Sequence, residues 1–478
     1  MDPISFSDTF GFSFNWEFWS WLFSQPSGDL ILSLFAIVGW TILALIFFQM
    51  GETLWVQFRF IKNAKKWQWL LFAVDIPPLY IQTPKAVEQI FAHLSGAKIK
   101  PNIVQKYWEG KKQKCFSFEI ISIEGYIQFL IRTEAEYRDL LEAAVYAQYP
   151  EAEITEVEDY VSMAPNKFPN ETHDMFGLEF GLSQVDAYPI RTYPSFEYNI
   201  SKDLVFSDPM AAILENFSRI GHGENLWFQI IVEPTGNDWK EKGIELVKTI
   251  ITGKKKNNDT LISKIGGLPL AITKEVFKII NPPSEDAKGK NKNDKKEEPP
   301  GKITDLSPGN KNTIEAIEEK IAKLGFKTKM RALYVARKEV FLPSRCMDGF
   351  VGALNQFHIM SRNAIVPKLV TKAFYAFGVS RTLLMKNKFF RGFSRRLIKT
   401  GHTPCIMNIE ELATLWHFPL PFVKTPLIQK AGAKRGEPPM NLPIETDAGP
   451  LRPKVRPTEP ATDSKVVTPP EPEELLYG

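Results

Sequence analysis

Apolar and polar positions fall into three regimes along the chain. The first is unbroken: Leu30–Phe48 (LILSLFAIVGWTILALIFF) carries no charge over 19 residues, enough as a helix to cross a hydrocarbon core of about 30 Å. The second alternates strand and helix. Trp69–Pro77 reads as a strand. Thr83–Ala97 reads as a helix, with Val87, Ile90, Phe91 and Leu94 on one face, Thr83 as N-cap and Pro84 at the first turn. Lys114–Ile123 and Tyr126–Thr133 form a hairpin about a Glu-Gly turn, followed by a helix over Ala135–Pro150 and a strand over Ala152–Val161. The order βαββαβ predicts a ferredoxin-like domain over 69–161.

A second copy is predicted over 176–430. Strand material around Arg191–Val205 leads into a helix over Asp208–Gly221 and a buried strand over Asn225–Pro234. A strand over Phe326–Ala336, a helix over Pro343–Met360 and a last strand near Pro404–Asn408 complete it. Between them, Asp238–Gly325 reads as one insertion: helices over Asp238–Gly253 and Asn312–Gly325 flank a polar linker, 282–310, too poor in apolar residues to fold. The third regime is the Pro-rich tail, 437–478, expected to be disordered. The expected class is α+β: one transmembrane helix, 30–48, then two ferredoxin-like domains, the second interrupted.

Charge orients the span. Asp2, Asp8, Glu17 and Asp29 precede it; Arg59, Lys62, Lys65 and Lys66 follow it, against Glu52 alone. Positive flanks stay cytoplasmic, so the expectation is a single-pass protein of the inner (cytoplasmic) membrane with its N-terminus outside and its bulk in the cytoplasm. The acidic start lacks the basic n-region of a cleaved signal peptide. Residues 1–29, crowded with Phe and Trp, read as an extracytoplasmic segment lying at the headgroups or docking on another membrane protein.

Over 478 residues the net charge is only +4, too weak to argue for nucleic acid by itself. Cys115, Cys346 and Cys405 are far apart and odd in number, which fits reduced thiols. The Gly-Lys pairs lack the spacing of a phosphate-binding loop, and the six histidines form no HExxH. His402 and Cys405 have metal-ligand spacing, with no second pair to complete a set. Glu156 and Glu158 share a strand face, more simply a solvated edge. No catalytic residue, cofactor or metal is assigned, and a non-enzymatic role is expected.

One segment suits binding. Ser380–Thr400 (SRTLLMKNKFFRGFSRRLIKT) has no acidic residue and interleaves Phe389, Phe390 and Phe393 with cations. Lys386, Lys388, Arg391, Arg395, Arg396 and Lys399 are its candidates for phosphate or lipid contact, in nucleic acid or at a bilayer. A loop packing its phenylalanines on its own domain explains the pattern equally well.

Four stretches, PLYIQTPKAVEQIFAHLSG, FEIISIEGYIQFLIRTEAEYRDLLEAAVYAQYPEAEITEVEDY, NIEELATLWHFPLPFVKTP and AKRGEPPMNLP, resemble the N-terminal, non-ATPase region of membrane-anchored type IV secretion and conjugative-transfer ATPases of candidate-phylum bacteria. The resemblance runs from about Trp69 to Pro443. In such proteins the last two stretches lead into a P-loop motor, whereas here a Pro-rich tail follows. The resemblance therefore implies an accessory or scaffold protein of a type IV secretion-like or pilus-like machine, positioning a separate P-loop ATPase. Glu410, Glu411, Trp416, His417, Phe418 and Pro419 would face that partner; alternatively they form a short helix packed on its own domain. A nucleic-acid-binding protein of a DNA transfer or uptake system is the other function considered. Open strand edges would also permit a homo-oligomer.

Overall fold

The structure is a computed structural model and describes residues 20, 24, 26–77, 82–199, 204–206, 208–252, 306–373 and 378–420. The chain divides into two compact units, Met1–Trp67 with Ile99–Gln113 and Gln68–Lys98 with Lys114–Gly478. Most of the aromatic N-terminal segment, most of the 282–310 linker and the whole 437–478 tail lie outside the described residues.

In the first unit, helix α1 (Ser27–Ala64) runs well past the expected 30–48 span. Over Gly39–Ala64 it is long and apolar enough to cross a membrane.

The second unit is organised by one nine-stranded sheet. Its first half contains β1 (Trp69–Asp75), α2 (Pro84–Leu94), β2 (Phe116–Ile123), β3 (Tyr126–Glu134), α3 (Arg138–Gln148) and β4 (Glu153–Glu156). The β2–β3 turn places both Glu124 (φ 53°) and Gly125 (φ 94°) in left-handed backbone, the conformation whose twist suits a two-residue hairpin. Next come β5 (His173–Leu182), the small separate hairpin β6 (Glu197–Asn199) and β7 (Leu204–Phe206), α4 (Met210–Ser218) and β8 (Glu224–Pro234). Then follow α5 (Asp238–Thr252), α6 (Pro308–Ala322), β9 (Gly325–Arg337), α7 (Pro343–Leu354) and β10 (Ile365–Val370). The chain continues through α8 (Gly378–Ser394), β11 (Cys405–Asn408) and α9 (Ile409–Leu415).

The path across the sheet is β10-β5-β9-β8-β2-β3-β1-β4, every pair antiparallel. Read outward from the β2–β8 pair, the halves repeat one order, and like strands meet in the middle with Glu119 opposite Gln229. The halves are thus related by an approximate two-fold axis and share one sheet, where the sequence suggested two separate domains.

Two strands of the second half are not where the pattern placed them. Its first strand is β5, not Arg191–Val205, which contributes a 3-10 turn and part of the β6–β7 hairpin. Glycines at 177 and 181 disguise β5. A Cβ on Gly177 would lie 2.5 Å from the Phe389 ring, so the strand is bare there because another side chain occupies the space. The last strand is β10, whose Pro367 is tolerated because the strand is an edge with a register shift beside that residue. The expected strand near Pro404–Asn408 does form, as β11, but it pairs with the start of β9. At the end of the linker, Pro308–Asn310 belong to α6, capped by the Ser307 side chain.

Alternate residues of each strand face two cores. Phe118, Phe129, Phe228 and Met330 join residues of α2, α3, α4, α7 and α9 in the larger. Phe350 of α7 is typical, meeting Phe228 at 5.0 Å between ring centroids. On the other face Ile121, Leu130, Trp227 and Leu333 are covered by Tyr160 and by Phe389, Phe390 and Phe393 of α8. The insertion helices α5 and α6 close a third, smaller cluster around Trp239 and Ile317.

Candidate functional site

The basic segment is a helix through Ser394, not a loop, and its three phenylalanines point inward. Phe390 meets Phe168 at 4.9 Å and Phe393 stacks on Trp227 at 6.0 Å. Helical spacing then puts Arg381, Leu384, Lys388 and Arg391 on the opposite, exposed stripe, with exposed Arg395 and Lys399 beyond the helix end. Among the described residues these five cations have no ion pair or side-chain hydrogen bond. The rings are therefore unavailable for stacking on bases or entering a bilayer, while most of the cations remain free for anions.

Two candidates are corrected. Lys386 pairs with Asp174 at 2.6 Å. Arg396 is fully buried: its guanidinium forks onto Glu119 at 3.0 and 3.1 Å and onto Asp159, and donates to the Ser394 carbonyl at 2.9 Å. Glu119 also accepts from Ser117 Oγ at 2.6 Å, Tyr160 OH at 2.8 Å and Gln229 Nε2 at 3.0 Å. Burial would raise the Glu119 carboxyl, but Arg396 and the two hydroxyls override it and hold the group at about 2. Burial, followed by the Arg396 charge, pushes neighbouring Arg132 down to about 10. Arg396 thus ties the end of α8 to the middle of the sheet and cannot reach an external phosphate.

A parallel cluster fixes the next stretch. Glu179 takes Lys329 at 2.9 Å and Arg331 at 3.2 Å. Arg331 also donates to the carbonyls of Gly392, Leu397 and Thr400, and Lys329 to that of Thr400. Beside it opens a cavity of about 280 Å³ lined by Lys368, Lys388 and His402 over Leu369, Met385 and Phe389. With Glu179 already satisfied, the mouth of this cavity is positive, and it adjoins the cationic stripe through Lys388.

The residues expected to face a motor lie inside the fold. Asn408 and Glu411 form a reciprocal capping box at the start of α9. Glu411 further accepts from Lys320 at 2.9 Å and from the Ile190 N–H at 3.0 Å. Glu410 pairs with Lys323. Trp416 is wedged among Phe118, Phe129 and Phe418 at 4.9, 5.7 and 5.0 Å. The two ring nitrogens of His417 meet the Ala413 carbonyl at 2.8 Å and Asp208 at 2.9 Å. Burial would raise Asp208, yet His417 and two backbone N–H groups hold it below its ordinary value. Pro419 is half-buried. The plainer reading of this stretch, a helix packed on its own domain, describes these contacts.

His402 is exposed, whereas Cys405 is buried with its thiol pushed up to about 12, and no group of metal-binding side chains occurs among the described residues. Glu156 ends edge strand β4. The signal that sequence reasoning missed is the charge alternating with apolar residues inside β2, β5 and β9: Glu119, Glu179, Lys329 and Arg331 are all essentially buried. Residues 102–430, more than half of the chain, match a family described as a domain of unknown function, DUF8128. The chain belongs to this family. No curated protein matches it. The family match begins after β1 and α2, although β1 lies between β3 and β4 in the same sheet.

Proposed function

We propose that this DUF8128 protein is a membrane-anchored, non-enzymatic scaffold of a type IV secretion-like or pilus-like machine, positioning a separate motor ATPase. In this reading α1 spans the inner membrane with its N-terminus outside, as the cations that follow its charge-free run, 30–48, favour. Each half of the sheet is a ferredoxin-like unit, a reading supported by the repeated βαββαβ order with the first strand between the third and fourth. The observation that carries the proposal is the division of labour among charges. The buried pairs Glu119–Arg396 and Glu179–Lys329 hold the protein's own elements in place, while Arg381, Lys388 and Arg391 form an exposed stripe on α8 with no ion pair among the described residues.

Affinity purification of the tagged full chain from crosslinked native membranes, with mass spectrometry, tests this. Recovery of a P-loop ATPase that is lost with Lys388→Glu, Arg391→Glu and Arg395→Glu together supports the scaffold. Absence of any ATPase from the wild-type sample overturns it. The same stripe favours a second reading, binding of single-stranded nucleic acid. That reading requires binding that weakens with salt, by about one unit of logarithmic slope per phosphate neutralised, and that falls in the Arg391→Ala, Arg395→Ala protein.

A further inference from the structure

Segment Ile99–Gln113, which follows α2 in sequence, forms part of the compact unit of α1. Its centre is one wide helical turn, Gln105–Glu109, closed by Gly110 at φ 70°. Side chains of α1 donate to the carbonyls of this turn: Trp55 Nε1 to Tyr107 at 2.9 Å, Asn63 Nδ2 to Gly110 at 3.2 Å, and Arg59 to Trp108. In return the Tyr107 hydroxyl donates to Glu52. The Trp55 and Trp108 rings meet edge to face at 6.1 Å. Position 110 must be glycine, because a Cβ would lie 2.4 Å from the Arg59 carbonyl carbon.

This clasp gives the carbonyls of Tyr107, Trp108 and Gly110 their partners and leaves the large apolar side chains of the segment exposed. Ile103, Val104 and Trp108 are 77, 61 and 65% exposed. On the same stretch of α1, Leu54, Phe58 and Ile61 are exposed too. Such a concentration of large apolar side chains needs a cover. The position of the clasp along the chain indicates which. The charge-free residues 30–48 fill the hydrocarbon layer, and the clasp holds residues 52–63, about three turns that begin about one turn further on. The first turn of that stretch lies at headgroup depth, where Trp and Tyr rings settle.

We propose that residues 101–110 are an interfacial hook, seating Ile103, Val104 and Trp108 at the boundary between headgroups and acyl chains. Hydrogen-bonded to α1, the hook sets how far that helix can slide through the bilayer. Lys106, exposed on the same turn, lies near the anionic headgroups. The inference rests on the reading of α1 as a membrane span.

The test uses the full chain with Cys115→Ser, reconstituted in phosphatidylcholine–phosphatidylglycerol vesicles. A nitroxide is attached at Ile103→Cys or Trp108→Cys, with Phe47→Cys as the reference within the span and Met360→Cys as the aqueous reference. At 103 and 108 the collision ratio of oxygen to a water-soluble nickel chelate is expected to be several-fold above that at 360. Ratios at both sites equal to that at 360, with 47 still in lipid, overturn the hook and leave the span intact. An aqueous ratio at 47 as well overturns both.

Discussion

Phe118 and Glu119 are neighbours on one strand and enter opposite kinds of core. On the face of Phe118 the sheet is closed by apolar and aromatic contacts, with Trp416 wedged against it. On the face of Glu119 aromatic rings are mixed with a buried carboxylate, a buried guanidinium and the hydrogen bonds that saturate them. The first face obtains its stability from burial, which is nondirectional. The second gains little net energy from its charges, since desolvation offsets their attraction. What they supply is registry: Arg396 can satisfy Glu119 and Asp159 together in only one placement of the chain after α8.

The largest losses are expected at the most tightly packed points. Trp416→Ala should lose about 3–5 kcal/mol, seen as a lower urea midpoint of the full chain in detergent. Arg396→Met should cost a similar amount, about 3–5 kcal/mol, because it strands the Glu119 carboxylate. The two differ in rescue: adding Glu119→Leu to Arg396→Met should restore much of the loss, while no single apolar partner change restores Trp416→Ala. Failure of that rescue would mean that the charged face contributes net stability, against the comparison.

Smaller effects are expected elsewhere. Gly177→Ala, which forces a Cβ into the Phe389 ring, should cost about 1–3 kcal/mol by overpacking, measured in the same urea series. Acid should act most on the charged face. Glu119 titrates at about 2 in the fold against an ordinary 4.5, so its contribution is complete above about pH 4.5 and is lost as pH falls towards 2. Stability followed from pH 5 to 2 should therefore fall less steeply in the Glu119→Leu, Arg396→Met protein than in Trp416→Ala. At the small end, Lys388→Ala with Arg391→Ala should shift stability by under about 0.5 kcal/mol, since neither side chain has a partner among the described residues.

Local pattern was enough for elements whose cause is local. The apolar run at 30–48, the hairpin around Glu124–Gly125 and the helix opened by Pro84 each follow from a few consecutive residues, and each forms. The misread strands have distant causes. Gly177 and Gly181 make β5 look like a loop, because the side chains occupying their places come from α8, β10 and the turn at His402. β10 looks broken by Pro367 until its edge position is known.

The candidate site divides along the same line. That Ser380–Thr400 is basic and amphipathic is written in its order of residues. That Lys388 and Arg391 face solvent while Arg396 is buried depends on a carboxylate 277 residues away. Nothing adjacent to Arg396 announces that partner, and nothing within Asn408–Pro419 announces that Trp416 fills a gap over β2 and β3. Hydrophobic period and turn chemistry act over a few residues, so most of the helices and strands, β5 and β10 apart, were already legible in the order of residues. Joining the edges of β2 and β8, and choosing which charges become part of the interior, required contacts between residues far apart in the chain, and those only the folded arrangement decided.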